Sequence, residues 1–491
     1  MITGPARRFV PVAAAVLLTV AAALALPQTA LAHVSLVPRE DLPLPEWLFI
    51  YGALIIVVVS FVGLLLGWHR TRFEDIESRP AGERVSRLVL NPVTEVLAGL
   101  IGVALTVLVV YAGLEGTEAA ARNFTGVFIP VTFALGTVVL SVLFGDVFRA
   151  FNPWRAIARV VSGGLALIAG QRLPAPLPYP NWLGRWPAVA GLLGYLFLEL
   201  VWGQTGFGLV ALSPRDIAIA TLVYSAITFT GMGLFGIEKW IDRGETFSQY
   251  FGMFASLSPL EARDGVLRLR KPLSGATKWA LPAGSLALVL VAIGGTTFDG
   301  AQEGVLKDGI ESLFQTFQDW GWSPTAALRT ANSIFLVVSM AAVAAIFWVG
   351  ILGMRIVERK RGALELGRLF AHAFIPIALA YLVAHYFSYF YLLQQAQFGY
   401  LLSDPLGTGT TDLFGTLDNG IDLSSISAGL VQWVQFGAIV TGHVVALALG
   451  HDRALKIWGN TRDAAWSQVW MLVMMMFFSV LGLYLLSQAN A

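Results

Sequence analysis

The sequence predicts an all-α fold: a polytopic helical membrane protein. Three observations predict it. Of 491 residues, 56% are hydrophobic and 13% charged, and the mean hydropathy is +0.70. Soluble domains carry about a quarter charged residues. Apolar runs of about 20 residues, enough to cross roughly 30 Å of hydrocarbon, recur along the chain. The Lys and Arg residues gather in alternate loops, as the ends of membrane spans require.

The chain opens with a leader pattern. Arg7 and Arg8 form a positive region, Val10 to Leu26 an apolar one, and Ala30-Leu31-Ala32 an A-x-A cleavage site. Residues 1–32 are expected to be a signal peptide and 33–491 a single integral membrane domain. Cleavage makes His33 the mature N-terminus, outside the membrane.

Ten apolar helices follow, each bounded by charge or by Pro and Gly: Trp47–Trp68, Pro92–Gly113, Gly126–Phe144, Trp186–Trp202 and Asp216–Gly236, then Trp279–Thr296, Ser333–Met354, Leu369–Leu392, Leu430–Gly450 and Ala465–Leu486. Trp47, Trp68, Trp186, Trp202, Trp279, Trp433 and Trp466 sit near span ends, where an indole has one wet and one dry side. Of the 32 Lys and Arg, two lie in the leader, 25 in one set of loops and five in the other. The positive-inside rule makes the rich set cytoplasmic, with both mature termini outside. This agrees with cleavage of the leader and implies a bacterial plasma membrane. Val160 to Ala169 is expected to be an interfacial or re-entrant helix. The loop from Ile237 to Lys278 reads as the largest cytoplasmic one. No motif in Trp47–Gly236 repeats convincingly in Trp279–Leu486, so an inverted repeat is not apparent.

Composition also excludes. With no Cys there are no disulfides, thiolate metal sites or cysteine nucleophile. A net charge of +1 gives no footprint for nucleic acid. The chain lacks a phosphate-binding G-x-x-x-x-G-K-[ST] loop and a G-x-S-x-G nucleophile elbow.

Ionisable groups inside spans cost about 2.5–3.5 kcal/mol on insertion scales, so each calls for a reason. Glu199 lies in the outer part of the fourth helix, as a ligand, a proton acceptor or a buried acid bonded to a neighbour. Glu95 and Asp146 read as caps or partners of nearby Arg. His385 is expected in the outer half of its helix, about 24 Å from the cytoplasmic end, with Tyr381, Ser388 and Tyr389 on the same face. It is either an acid–base group or ligand, or a satisfied core histidine. His372 and His443 are expected to approach each other as a polar contact or metal pair. His33, Glu46, Glu199, Asp299, His385, Asp404 and Asp412 all fall on the outer side. An N-terminal His suits copper. Added carboxylates suit zinc or another water-activating ion. The same Asp residues also read as solvated turns, since Asp-Pro and Asp-Gly favour turns.

Several stretches carry a resemblance: Ala32-His33, Asp41-Leu42-Pro43-Leu44-Pro45-Glu46-Trp47-Leu48, Asn152-Pro153-Trp154-Arg155, Trp182-Leu183-Gly184-Arg185-Trp186-Pro187, Ala384-His385-Tyr386-Phe387-Ser388, Ser403-Asp404-Pro405-Leu406-Gly407, and Gly442-His443 through Gly450-His451-Asp452-Arg453. In these the chain resembles an actinobacterial-type family of polytopic membrane proteins labelled fenitrothion hydrolases. The resemblance implies hydrolysis of a small apolar aryl phosphotriester, with a partner membrane subunit. In that chemistry a divalent metal, zinc or copper, held by His33, His385, Asp404 and Asp412, would activate water. Glu199 and Asp299 would be catalytic, with Glu199 as base. The alternative is a transporter or metal-handling permease lined by the same groups. N-terminal sequencing of the protein purified from membranes is expected to begin at His33; an intact Met1 leader would contradict the leader assignment.

Overall fold

The computed structural model describes residues 46–490, apart from 172, 207–208, 211, 303, 357–359 and 460. The expected signal peptide therefore lies outside the described residues. The fold is all-α and polytopic, and nine described helices are long and apolar enough to cross a membrane. In chain order the long helices are α1 (Glu46–Gly67), α2 (Pro92–Glu115), α3 (Phe124–Phe144), α4 (Trp186–Trp202), α5 (Pro214–Phe235), α6 (Ser285–Gln302), α7 (Pro324–Met354), α8 (Ile375–Phe398), α9 (Ala428–Trp458) and α10 (Thr461–Asn490). The shorter α4 joins a 12-residue α-helix to a five-residue π-helical turn.

Three departures from the expected spans have local causes. α6 begins at Ser285, not Trp279, because Pro282 and Gly284, with φ +84°, hold the chain out of the helix. It then runs past Thr296 to Gln302, so Asp299 is helical and not in a loop. α8 runs past Leu392 to Phe398 through Gln394, Gln395 and Gln397, polar residues that hydropathy assigns to a loop. In α3 the residues Phe128–Gly136 are π-helical. Pro130 cannot donate to the carbonyl one turn back, which loosens the ladder there.

The chain groups into two compact units, each discontinuous in sequence. The first comprises the described residues through Asp75, Val289–Phe387 and Ile426 onward. Its helices are α1, α7, α9 and α10, with most of α6 and the first half of α8. Lipid tails give helices no hydrophobic reason to associate, so close packing at small residues must supply it. A Cβ on Gly442 of α9 would stand 2.3 Å from Ala380 Cβ of α8. One on Gly353 of α7 would stand 2.1 Å from the Trp470 ring of α10. Neither contact survives a larger residue.

One buried carboxylate ties the Lys/Arg-rich end of this unit together. Asp452, on α9, accepts the Trp68 indole N–H at 3.0 Å and the backbone N–H groups of Arg72, Phe73 and Glu74 at 2.6, 2.9 and 3.0 Å. His451 Nε2 donates to the Trp68 carbonyl at 3.0 Å. Arg453 pairs with Glu74 and Lys456 with Asp75. The turn after α1 is thus held by four side chains from the last turns of α9, His451, Asp452, Arg453 and Lys456.

The second unit holds α2 to α5 and the segments Ile76–Leu288 and Ser388–Ser425. A small antiparallel sheet joins Arg79–Pro80, Val266–Leu269 and Leu260–Arg263. The stretch expected as a plain cytoplasmic loop contains the helix Thr246–Ala255, whose Phe251, Met253 and Phe254 are fully buried. Phe133, Phe148, Phe247 and Phe251 meet edge-on around it. Aromatic residues spaced by a helical turn gave this segment an apolar face too short to register as a span. Glu245 caps it, accepting from Phe247 N, Ser248 N, Tyr224 Oη and Asn152 Nδ2. Glu95 does pair with Arg155 and Arg159. The helix Pro153–Ala169 buries its first turn and exposes Val160, Leu167 and Ile168, the distribution of an interfacial helix.

Asp452→Ala leaves three backbone donors of the α1 turn without their acceptor. At about 1–3 kcal/mol per orphaned buried group, discounted for partial exposure, the loss is about 3 kcal/mol. Thermal unfolding in detergent should show a clearly lowered midpoint; a wild-type midpoint would contradict the role assigned to Asp452.

Candidate acid–base site

Within the first unit, a carboxylate of α6 and an imidazole of α8 meet. Asp299 lies in the last turn of α6, and His385 near the middle of the 24-residue α8. His385 was expected in the outer half; the extension of α8 to Phe398 puts it at the centre. His385 Nε2 is 2.9 Å from Asp299 Oδ2. Tyr386 Oη donates to the same oxygen. Gln302 Nε2 donates to Asp299 Oδ1 at 2.8 Å. The side chains of Asp299 and His385 are only 15% and 21% exposed.

These bonds fix the chemistry of the ring. A carboxylate surrounded by three donors is an acceptor. His385 must then carry its hydrogen on Nε2, which leaves the lone pair on Nδ1. Among the described residues Nδ1 has no hydrogen-bond partner. It lies over Gly300, where a Cβ would come within 3.6 Å of it. Gly300 and His385 line a small cavity with Thr296, Tyr381, Ala384, Ile439, Gly482 and Leu485. Its volume is about 20 Å³, room for about one water molecule. The Asp orients the imidazole, and the imidazole offers a basic nitrogen toward a water-sized space.

The other expected site residues are differently engaged. His33 lies outside the described residues. Asp404 is buried, but its oxygens accept from Gly409 N at 2.5 Å and Thr411 Oγ1 at 2.7 Å. Together with Thr117 N to Leu406 O at 2.8 Å and Phe124 N to Pro405 O at 3.0 Å, this folds the loop after α8 onto the turn between α2 and α3. Asp412 is exposed and caps a turn through Thr416 N and Leu417 N at 2.9 and 3.2 Å. Both are held by hydrogen bonds within their own loop, Asp404 buried there and Asp412 exposed. Glu199 is half-buried on the π-helical turn of α4, among Tyr195 and Tyr250 of the second unit. Among the described residues no three His, Asp or Glu side chains gather to hold a metal ion.

His372 and His443 do not hydrogen-bond each other: each Nδ1 bonds a carbonyl of its own segment, and each Nε2 has no partner among the described residues. Gly442 packs against Pro376 and Ala380, so His443 is level with the first turns of α8 and lies 6.2 Å, ring to ring, from Tyr381. His372 sits lower, within electrostatic reach of Arg453. Two participants escaped sequence reasoning. Gln302 is three residues from Asp299 on one helix, a spacing that α6 would have revealed had its end been known. Tyr386 is adjacent to His385 in sequence, and helical geometry turns neighbours apart; only a partner on another helix brings both to one oxygen.

A double-mutant cycle of Asp299→Asn and His385→Asn should give a coupling of about 1–3 kcal/mol in unfolding free energy. Additive effects would contradict a direct charge-assisted bond. No protein-family model, no curated protein and no solved structure matches this chain.

Proposed function

We propose that the chain is a multi-pass permease of the bacterial plasma membrane that handles protons, with the Asp299–His385 pair as a proton-binding group. The bilayer is its partner, and the Lys/Arg-rich loops face the cytoplasm by the positive-inside rule. One observation carries the reading: a hydrogen-bonded carboxylate–imidazole pair sits inside apolar helices, with a bare nitrogen beside a space for one water. Carboxylates and histidines at membrane depth characteristically mark proton relays and ion paths. A proton arriving through water binds His385 Nδ1. The Asp299 carboxylate stabilises the resulting imidazolium through its Nε2–H bond.

A second reading is supported by the same nitrogen. His385 can take a proton from a water molecule whose oxygen attacks a small apolar ester, with Asp299 holding the ring. This is the hydrolase that the resemblance implies. A base of this kind contributes about 10²–10⁴-fold. Ligand pockets for drug-sized molecules run to about 300–1,000 Å³, so an aryl phosphotriester needs α6 and α8 to part first. Zinc or copper chemistry would require ligands beyond Asp299 and His385, and His33 is the remaining candidate.

Purified protein in vesicles loaded with a pH-sensitive dye tests the two readings. A potential-driven proton influx, reduced at least about tenfold by His385→Asn, is expected. Wild-type vesicles as tight as empty ones would contradict the permease. Release of phenol from an aryl phosphotriester, dependent on His385 and lost with chelator, would favour the metal-assisted hydrolase instead.

A further inference from the structure

We propose that His443 is the next proton acceptor after His385, one helical turn along α9 from Ile439, which lines the same cavity. The inference rests on the proton-binding reading of the Asp299–His385 pair. His443 is 0% exposed. Its Nδ1 stands 2.7 Å from the Ile439 carbonyl. A carbonyl only accepts, so Nδ1 carries the hydrogen and Nε2 the lone pair. Among the described residues, Nε2 has no hydrogen-bond partner. Burying such an acceptor costs about 1–3 kcal/mol, and a native protein that tolerates the cost needs a reason.

Position supplies the reason. Ile439, whose carbonyl orients the ring, lines the cavity beside His385. So does Tyr381, whose ring is 6.2 Å from that of His443. The Tyr381 hydroxyl donates to the Phe478 carbonyl. Its oxygen keeps a lone pair for water. Gly442 packs so closely on α8 that a Cβ there would stand 2.3 Å from Ala380 Cβ and 3.0 Å from the Pro376 carbonyl oxygen, which holds His443 at this level. The ring of His443 lies beside Tyr381 of α8, and among the described residues His443 forms no ion pair. A proton there has no counter-ion, so the site passes protons on and does not store them.

The step balances simply. The Nδ1–H bond of protonated His385 breaks, water in the cavity accepts that proton and yields another, and a new Nε2–H bond forms on His443. Nδ1–H stays on Ile439 throughout, and release is from Nε2. The line continues toward the Lys/Arg-rich end at His372, which is 1% exposed, donates Nδ1–H to Leu369 O at 3.0 Å, and likewise has an Nε2 without a partner among the described residues.

Two measurements on the full chain test this. In dye-loaded vesicles, His443→Leu and His443→Gln should each cut proton influx by at least about tenfold, as His385→Asn does. Influx kept at the wild-type rate in both His443 variants but lost in His385→Asn would overturn the relay and leave the outer site standing. No wild-type influx would overturn the site reading as well. The second measurement needs no variant: deuterium exchange at the imidazole C2 position, read by mass spectrometry. Exchange at His443 within about tenfold of that at the exposed His69 is expected, since C2 exchange requires protonation and water. A His443 C2 hydrogen that stays unexchanged while His69 exchanges fully would overturn the proposal.

Discussion

The bond between Asp299 and His385 is the constraint on which the functional account depends. A carboxylate among apolar helices survives only if every oxygen is engaged, because no bulk water competes for it. Asp299 meets that demand with an imidazole, a phenol and a carboxamide. The other buried carboxylates meet it differently. Asp452 binds three backbone N–H groups and an indole, Asp404 a backbone N–H and a hydroxyl, and Glu245 caps its own helix. Backbone donors do not titrate, so those acids fasten turns. Among these four acids, Asp299 alone accepts from an imidazole whose protonation can change.

The histidines differ in what their bonded nitrogen holds. His451 donates to the Trp68 carbonyl, its Nδ1 being without a partner among the described residues, and belongs to the fastening of α9 on the turn after α1. His443 and His372 donate to carbonyls of their own segments and keep a bare nitrogen in the interior. With His385 they place three basic nitrogens at successive levels of one unit. The close contact at Gly442 keeps α8 and α9 in register, and that register is what sets His443 beside Tyr381.

Much of the architecture was legible in the sequence, because the need to satisfy backbone polarity in lipid leaves long apolar helices as the main solution. Every expected span appears as a helix. What escaped lies at span ends and in short segments. Asp299 was read as a loop residue because hydropathy falls where Asp and Gln enter, although α6 continues through them. The buried helix Thr246–Ala255 is too short for a span signal. The pairing of Asp299 with His385 joins residues 86 positions apart, and no local pattern encodes it. Asp404 and Asp412 accept hydrogen bonds from their own loop, a local chemistry that hydropathy does not report.

The most direct test is the protonation pattern of His385 itself. Nitrogen-15 spectra of histidine-labelled protein in lipid nanodiscs, assigned with His385→Asn, report which ring nitrogen bears hydrogen. The account predicts Nε2 protonated and Nδ1 bare at alkaline pH, with Nδ1 gaining its proton on acidification and the pattern lost in Asp299→Asn. A His385 that carries its hydrogen on Nδ1, or whose spectrum ignores the loss of the Asp299 carboxylate, would contradict it.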